Sequence, residues 1–309
     1  SLVDANLECD SRHLPGGIVH QWVQADKPFL NGKCPADLYE QIFGGTTWES
    51  RVHGISGPPG TAKTTKLVGL LSAVRQYAIQ QNKNFFSLVM APTRDALRNF
   101  LERFLEVCDC PENCYIADSF LPALQHLPAE QVARINLLSQ KINPGNLATY
   151  EAALQESSDD SSQQSHFFLM TASACAVLMP FRTPGSTLLE GFDLTILDEA
   201  AQLKEHEGML AAAFLAPKGR LICCGDERQL PSRCQRGTGL RSPLSNLAFY
   251  RKTVQLDEQY RMKPCYAQLM SCLFYGGTLR TSGLKQAADH REFTWLTYAD
   301  GGWSGSSSR

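Results

Sequence analysis

The run Gly57-Pro58-Pro59-Gly60-Thr61-Ala62-Lys63-Thr64-Thr65 gathers glycines, prolines, a lysine and hydroxyls between an apolar strand-like stretch and a helix-like one. Successive backbone N–H groups in such a loop form a nest for an anion, and the positive end of the following helix adds to it. Lys63 would reach the β and γ phosphates of a nucleotide, and the Thr64 hydroxyl would bind Mg²⁺. A plain turn ahead of an amphipathic helix explains the glycines but not Lys-Thr at the helix start. ATP and Mg²⁺ are the cofactors this run implies, held by Gly57 to Thr65.

A second run, Phe192-Asp193-Leu194-Thr195-Ile196-Leu197-Asp198-Glu199-Ala200-Ala201-Gln202, is an apolar strand that ends in two carboxylates. Ligands of open α/β sheets bind at that strand end. Asp198 would hold Mg²⁺, and Glu199 would orient and deprotonate an attacking water. A third run, Cys223 to Pro231, sets Gln229 after another strand end, where it would sense the γ-phosphate or the water. The fourth, Leu256-Asp257-Glu258-Gln259-Tyr260-Arg261-Met262, offers Arg261 as a cation for transition-state charge.

These residues need a scaffold that brings strand ends together. From Arg51 a βα alternation begins, the pattern of a parallel sheet covered by helices. Strands are expected over Val52–Ser56, Phe85–Ala91, Phe167–Met170, Leu194–Leu197 and Leu221–Cys224. Helical spacing places Leu67, Leu70, Leu71, Val74, Tyr77 and Ala78 on one face of Thr64–Lys83. It likewise places Leu97, Phe100, Leu101, Phe104 and Leu105 on one face of the next helix. Residues 108–165 read as an insertion, with a helix over Gln131–Lys141 and a polar linker over Ser157–Ser165. Residues 1–45 are turn-rich and carry no recognisable role.

With the four runs in this order the chain resembles superfamily 1 helicases, of the group containing the nonsense-mediated-decay helicase and senataxin. Ala91-Pro92-Thr93-Arg94 and Thr171-Ala172-Ser173 are similar to two backbone-contacting motifs of that family. The resemblance thus implies nucleic-acid contacts at Thr93, Arg94 and Thr171. Phe274-Tyr275-Gly276-Gly277-Thr278-Leu279 is similar to the segment that follows Gln-Tyr-Arg-Met there. The implied fold is a RecA-like P-loop NTPase: an α/β parallel sheet with helices on both faces over residues 46–253. A truncated second RecA-like domain would begin at residue 254 and run to 309. The implied activity is ATP hydrolysis coupled to single-stranded RNA or DNA, inside the cell, in cytoplasm or nucleus. Two features keep a nucleotide-binding scaffold without turnover as the alternative. Ala62 stands where the loop usually has Gly before Lys, although minichromosome-maintenance helicases carry Ala there. Nothing after Leu279 resembles the later motifs of the second domain.

Composition agrees with an enzyme-sized α/β chain. Of 309 residues, 43% are hydrophobic, enough for a core, and 29 basic against 31 acidic residues exclude a basic nucleic-acid coat. Charge is nevertheless uneven. Lys218–Lys263 holds ten Lys or Arg against four Asp or Glu, a zone suited to a phosphate-rich strand. The apolar stretch Phe167–Phe181, free of charged side chains, is shorter than the ~20 residues of a membrane span. Eleven irregularly spaced Cys read as reduced intracellular thiols. Cys108, Cys110 and Cys114 with His126 lack the second pair that a zinc site uses. The Gly301–Ser308 run reads as a loose tail, which together with the missing initiator Met suggests a piece of a longer protein.

Overall fold

The structure, a computed structural model, describes residues 18–25, 51–107, 114–117, 129, 139–142, 165–178, 191–231, 241–249, 253–282, 293–299 and 302–308. The chain divides into two compact units, Ser1–Ser56 with Lys63–Gln255 and Gly57–Ala62 with Leu256–Arg309.

The first unit is built on an all-parallel sheet of eight strands among the described residues. They are β1 (Val52–Ser56), β2 (Phe85–Ala91), β3 (Cys114–Ala117), β4 (Ser139–Ile142), β5 (Ser165–Thr171), β6 (Phe192–Leu197), β7 (Leu215–Gly225) and β8 (Thr253–Gln255). Their order is β4-β3-β5-β2-β6-β7-β1-β8. Helices α1 (Ile18–Gln24), α2 (Lys63–Gln80), α3 (Arg94–Val107), α4 (Ala172–Leu178), α5 (Glu205–Ala213) and α6 (Pro243–Phe249) connect and cover it. The passages β1 to β2 and β2 to β3 run one way across the sheet, through α2 and α3. The passages β5 to β6, β6 to β7 and β7 to β8 run the other way, through α4, α5 and α6. Right-handed crossovers in opposite directions place helices on opposite faces, and α2 packs on α3 as α4 packs on α5. This is the RecA-like P-loop fold.

Strand alternation divides the core between those faces. Leu88 and Met90, Phe168 and Met170, Leu221 and Cys223 share one cluster with Ala172, Cys175, Ala211 and Leu244 from the helices. On α3, Leu97, Phe100, Leu101, Phe104 and Leu105 are all buried, as are Leu67, Leu70, Leu71, Val74, Tyr77 and Ala78 on α2. Phe104 meets Phe167 with ring centroids 4.8 Å apart.

Several expectations are corrected here. Residues 108–165 do not stand wholly outside the sheet, because β3 and β4 extend its edge with parallel pairing to β5. Ser139–Lys141, expected as helix, is strand for the same reason: ladder hydrogen bonds override local helical spacing. Ser165, expected as linker, begins β5. β7 is longer than Leu221–Cys224, because its first half also pairs β6 across an irregularity between Phe192 and Leu194. Residues 131–138 and 157–164 lie outside the described residues, as do Cys108, Cys110 and His126. Cys114 is a buried residue of β3 and forms no disulfide. Within the N-terminal stretch, α1 packs on α2 with Trp22 fully buried. The Lys83 ammonium donates to Gln21 Oε1 at 2.8 Å.

At the start of β6, Asp193 accepts the Phe86 N–H at 3.0 Å and extends the β2–β6 ladder. Burial pushes its carboxyl up from 3.8 to about 6, against the opposing pull of that hydrogen bond. The folded state thus holds a proton that the unfolded state releases near pH 4, so this group's contribution to stability falls as pH rises from about 4 to about 6. Asp193→Asn is expected to be more stable than the parent at pH 7 by about 1–3 kcal/mol, with the advantage vanishing toward pH 4. Urea unfolding from pH 5 to 8 checks this. A difference independent of pH would refute it.

In the second unit, β9 (Glu258–Gln259) and β10 (Arg280–Thr281) pair in parallel around α7 (Pro264–Phe274). The tail expected to be loose is a strand: β12 (Gly302–Ser308) pairs antiparallel with β11 (Phe293–Ala299).

Candidate nucleotide site

Parallel strands deliver all their C-terminal ends to one edge, so the groups after neighbouring strands become neighbours. Along that edge, β5 ends at Thr171 and β2 leads to Thr93. β6 ends before Asp198, β7 before Asp226, and β1 leads to the phosphate-loop sequence. Five strand ends separate in sequence thereby share one rim of the first unit.

Within the first unit, Lys63 and Thr64 open α2, and Lys63 is 9% exposed. Thr64 Oγ1 donates to Asp198 Oδ2 at 3.1 Å, and Asp198 Oδ1 accepts the Glu199 N–H at 3.0 Å. The Asp198 main chain donates to Met90 O at 2.9 Å, carrying the ladder one residue past β6. Burial and then the neighbouring Glu199 push the Asp198 carboxyl up to about 6. Bonds from Thr64 and the Glu199 main chain, and the Lys63 ammonium, oppose the rise. Cys224 lies in the same field: burial, then Asp198, hold its thiol well above the ordinary range. A hydroxyl and a carboxylate oxygen side by side are the hard donors Mg²⁺ prefers, so this pair fits the implied metal.

Glu199 is half-buried and sits at φ 53, ψ 39, in the left-handed region, opening the short 3₁₀ helix Ala200–Gln202. A non-glycine residue held there costs about 1 kcal/mol or more and recurs at active sites. Gly225 lets that turn close on β7, since a Cβ there would lie 3.0 Å from the Ala201 nitrogen.

Thr93 and Thr171 stand at the starts of α3 and α4. Thr93 Oγ1 accepts the Ala96 N–H at 3.2 Å, and Thr171 Oγ1 accepts the Ala174 N–H at 3.3 Å. Ala91 and Thr171 are register partners on adjoining strands. An N-capping hydroxyl accepts through its oxygen and keeps its proton as a donor. Arg94 beside Thr93 is exposed. Thr65 turns elsewhere: its Oγ1 accepts from Arg103 of α3 at 2.9 Å.

Within the second unit, Thr61 is buried and its hydroxyl donates to Pro58 O at 2.8 Å, folding Gly57–Ala62 onto itself. Ala62 has φ 58, a left-handed conformation that glycine adopts without strain. Gly60 has φ 83, its carbonyl accepts the Tyr260 N–H at 2.9 Å, and a Cβ there would lie 2.8 Å from Arg261 Cβ. Only glycine permits that approach. The residue that shapes this turn, missed in the sequence, is Gln259. Its fully buried amide accepts from Arg261 N at 2.9 Å and Met262 N at 2.6 Å, and donates to Met262 O at 2.8 Å and Thr281 Oγ1 at 3.0 Å. Three of these bonds set the main chain that carries exposed Arg261, and the fourth ties it to β10. The only sequence signal for this was an amide at the first position of Gln-Tyr-Arg-Met.

Residues 41–235 match the family model described as an AAA domain. The regulator of nonsense transcripts 1 homolog of Neurospora crassa is 24% identical over 261 residues, covering 78% of this chain and 23% of that protein. The ATP-dependent helicase upf1 of Schizosaccharomyces pombe is 32% identical over 114 residues, covering 34% of this chain and 12% of that protein. The chain therefore spans a quarter or less of the length of these relatives. Among solved structures, a nuclease-deletion mutant of the Type ISP restriction-modification enzyme LlaGI, in complex with a DNA substrate mimic, aligns at TM-score 0.48. Identity there is 13%, over 71% of this chain and 16% of that one. The chain belongs to the AAA domain family, in the superfamily 1 helicase group that includes the nonsense-mediated-decay helicases.

Proposed function

We propose that this chain hydrolyses ATP and couples the hydrolysis to single-stranded RNA or DNA. The observation that carries the reading is the Thr64–Asp198 hydrogen bond, which joins the start of the phosphate-loop helix to the acidic end of β6. In this reading the loop from Gly57 to Thr65 holds the phosphates, with the Lys63 ammonium against the β and γ groups. Thr64 and Asp198 would hold Mg²⁺, which when bound supplies charge neutralisation on the phosphates. Glu199 takes the proton of the attacking water, Gln229 orients it, and Arg261 neutralises charge as the γ-phosphoryl group transfers. Thr93, Arg94 and Thr171 take the phosphates of the strand, Arg94 as a charge and the threonines as cap hydroxyls with free protons. Residues 254–309 are read as the beginning of a second RecA-like domain. The cytoplasm or nucleus follows as the working place, and no helix among the described residues is long and apolar enough to cross a membrane.

Ala62 favours a second reading, a nucleotide holder without turnover, because its left-handed strain works against the loop adopting one fixed shape. ATP turnover measured with and without oligo(U) or oligo(dT) separates the two. Turnover is expected to rise with either strand, and strand affinity to fall steeply between about 50 and 200 mM salt, because contacts to phosphate release counterions. Turnover indifferent to strands would remove the nucleic-acid part. Binding of ATP without turnover would establish the holder.

A further inference from the structure

Thr64 and Thr65 are neighbours in the first turn of α2, but their hydroxyls go different ways. Thr64 Oγ1 donates to Asp198 Oδ2 at 3.1 Å, whereas Thr65 Oγ1 accepts from Arg103 Nη1 at 2.9 Å. Successive helical residues stand about 100° apart around the axis. The first bond therefore marks the β6 side of the helix start, and the second marks its α3 side.

Arg103 is an exposed residue of α3, about two and a half turns beyond Arg94. Helical side chains lean toward the N-terminus of their own helix, so this arm reaches back toward the rim where the strands end. The carboxylates nearby in sequence do not hold it. Asp95 and Glu102 pair with Arg98, at 3.3 and 3.7 Å. Among the described residues Arg103 makes no ion pair and bonds the neutral Thr65 hydroxyl. The first turn of α2 carries Lys63 and no acidic residue. An arginine without a counterion thus stands beside a helix start that is itself positive.

The polar capacity left on this side is all of one kind. A hydroxyl that accepts from a guanidinium keeps its own proton to give, and the other N–H groups of Arg103 can only donate. The ligand that fits carries negative charge and acceptor oxygens, which a phosphate supplies in the geometry a guanidinium matches. Lys63 and the Thr64–Asp198 pair are read as holding the β and γ phosphates and their metal. The phosphate left for the α3 side is the one nearest the ribose.

We propose that Arg103, together with the Thr65 hydroxyl, binds the α-phosphate of the nucleotide. The grip is the same before and after the γ-phosphoryl group leaves, so it holds ATP and ADP alike. The inference rests on the ATPase reading above.

The test is calorimetric titration of the full chain with Mg-ADP and with the Mg complex of a non-hydrolysable β,γ-imido ATP analogue. Arg103→Gln keeps a donor for Thr65 and removes the charge. Its affinity for both ligands is expected to fall by the same factor, about tenfold, the scale of one charge-assisted hydrogen bond. Arg103→Lys should recover part of that loss, and binding of oligo(U) without nucleotide should not change. Melting temperatures confirm folding. If Arg103→Gln does not fold, Thr65→Val carries the same comparison, with an equal loss for both ligands expected. Lys63→Ala in the same titration separates the two readings. If Lys63→Ala loses binding while Arg103→Gln binds both ligands as the parent does, Arg103 only ties α3 to α2 and the inference is overturned. A loss confined to the ATP analogue would put the guanidinium at the γ-phosphate and overturn it as well. So would weaker oligo(U) binding with nucleotide affinity unchanged, which would make Arg103 a strand contact. A Lys63→Ala chain that binds nucleotide as the parent does would overturn the phosphate-loop reading itself.

Discussion

Lys63→Ala is expected to abolish Mg-ATP binding at concentrations where the parent chain saturates. The ammonium is 9% exposed, and its field reaches Asp198 and Cys224. Removing it deletes the one side-chain cation of the Gly57–Thr65 run and leaves the triphosphate to backbone N–H groups alone. Truncating one partner of a buried charge pair costs about 2–5 kcal/mol, or roughly 30-fold to several thousand-fold in affinity. Loss of the ammonium also removes one of the three influences that hold the Asp198 carboxyl down, so the acid becomes a poorer metal partner as well. Both effects push the same way. Fluorescence titration with a labelled nucleotide checks the result, and Lys63→Met, which keeps the aliphatic stem, separates charge from packing. Unchanged affinity in both variants would mean that phosphates are held somewhere other than at the start of α2.

Glu199→Gln should separate binding from chemistry. The amide matches the acid in size and bonding reach but cannot take a proton, and loss of a general base typically costs roughly 10²–10⁴-fold in rate. Nucleotide affinity is expected to stay within about twofold of the parent, because Thr64 and Asp198, the proposed Mg²⁺ donors, are untouched. The left-handed backbone at φ 53 is equally strained for Glu and Gln, so the turn opening Ala200–Gln202 should persist. Single-turnover hydrolysis against equilibrium binding gives the split directly. A variant with the parent's rate would assign water activation to another group, whereas equal losses in rate and affinity would mean that Glu199 shapes the site without acting as its base.

The second unit adds a structural demand on Arg261. Its main chain is held by Gln259, and the turn it belongs to is hydrogen-bonded to Gly60 of the loop. The arginine therefore begins from a defined backbone, and its guanidinium is the exposed part of an otherwise tightly bonded turn.

The amino-acid sequence by itself determined whatever depends on short range. Helix faces on α2 and α3 follow from apolar spacing near 3.6 residues, and β1, β2, β5 and β6 follow from apolar runs closed by turn residues or carboxylates. The phosphate-loop run, the Asp198-Glu199 pair, Gln229 and Arg261 stand out in the sequence because each proposed chemistry needs particular residue types at fixed offsets from a strand end, and the structure brings Thr64 and Asp198 within a hydrogen bond. What only the tertiary structure decided involves partners distant in sequence. β3 and β4 became strands because a sheet edge offered ladder hydrogen bonds that weak local patterns do not announce. Trp22 became core because a helix more than forty residues later supplied its apolar wall. The left-handed turns at Ala62 and Glu199 carry no glycine to mark them, since the surrounding structure imposes the strain. The grips of Asp226 on Gln229 and of Gln259 on the Arg261 turn are hydrogen bonds across two or three residues, and Gln259 also bonds Thr281 some twenty residues on. A residue's type allows such bonds, but only the fold decides which end of an amide meets which partner.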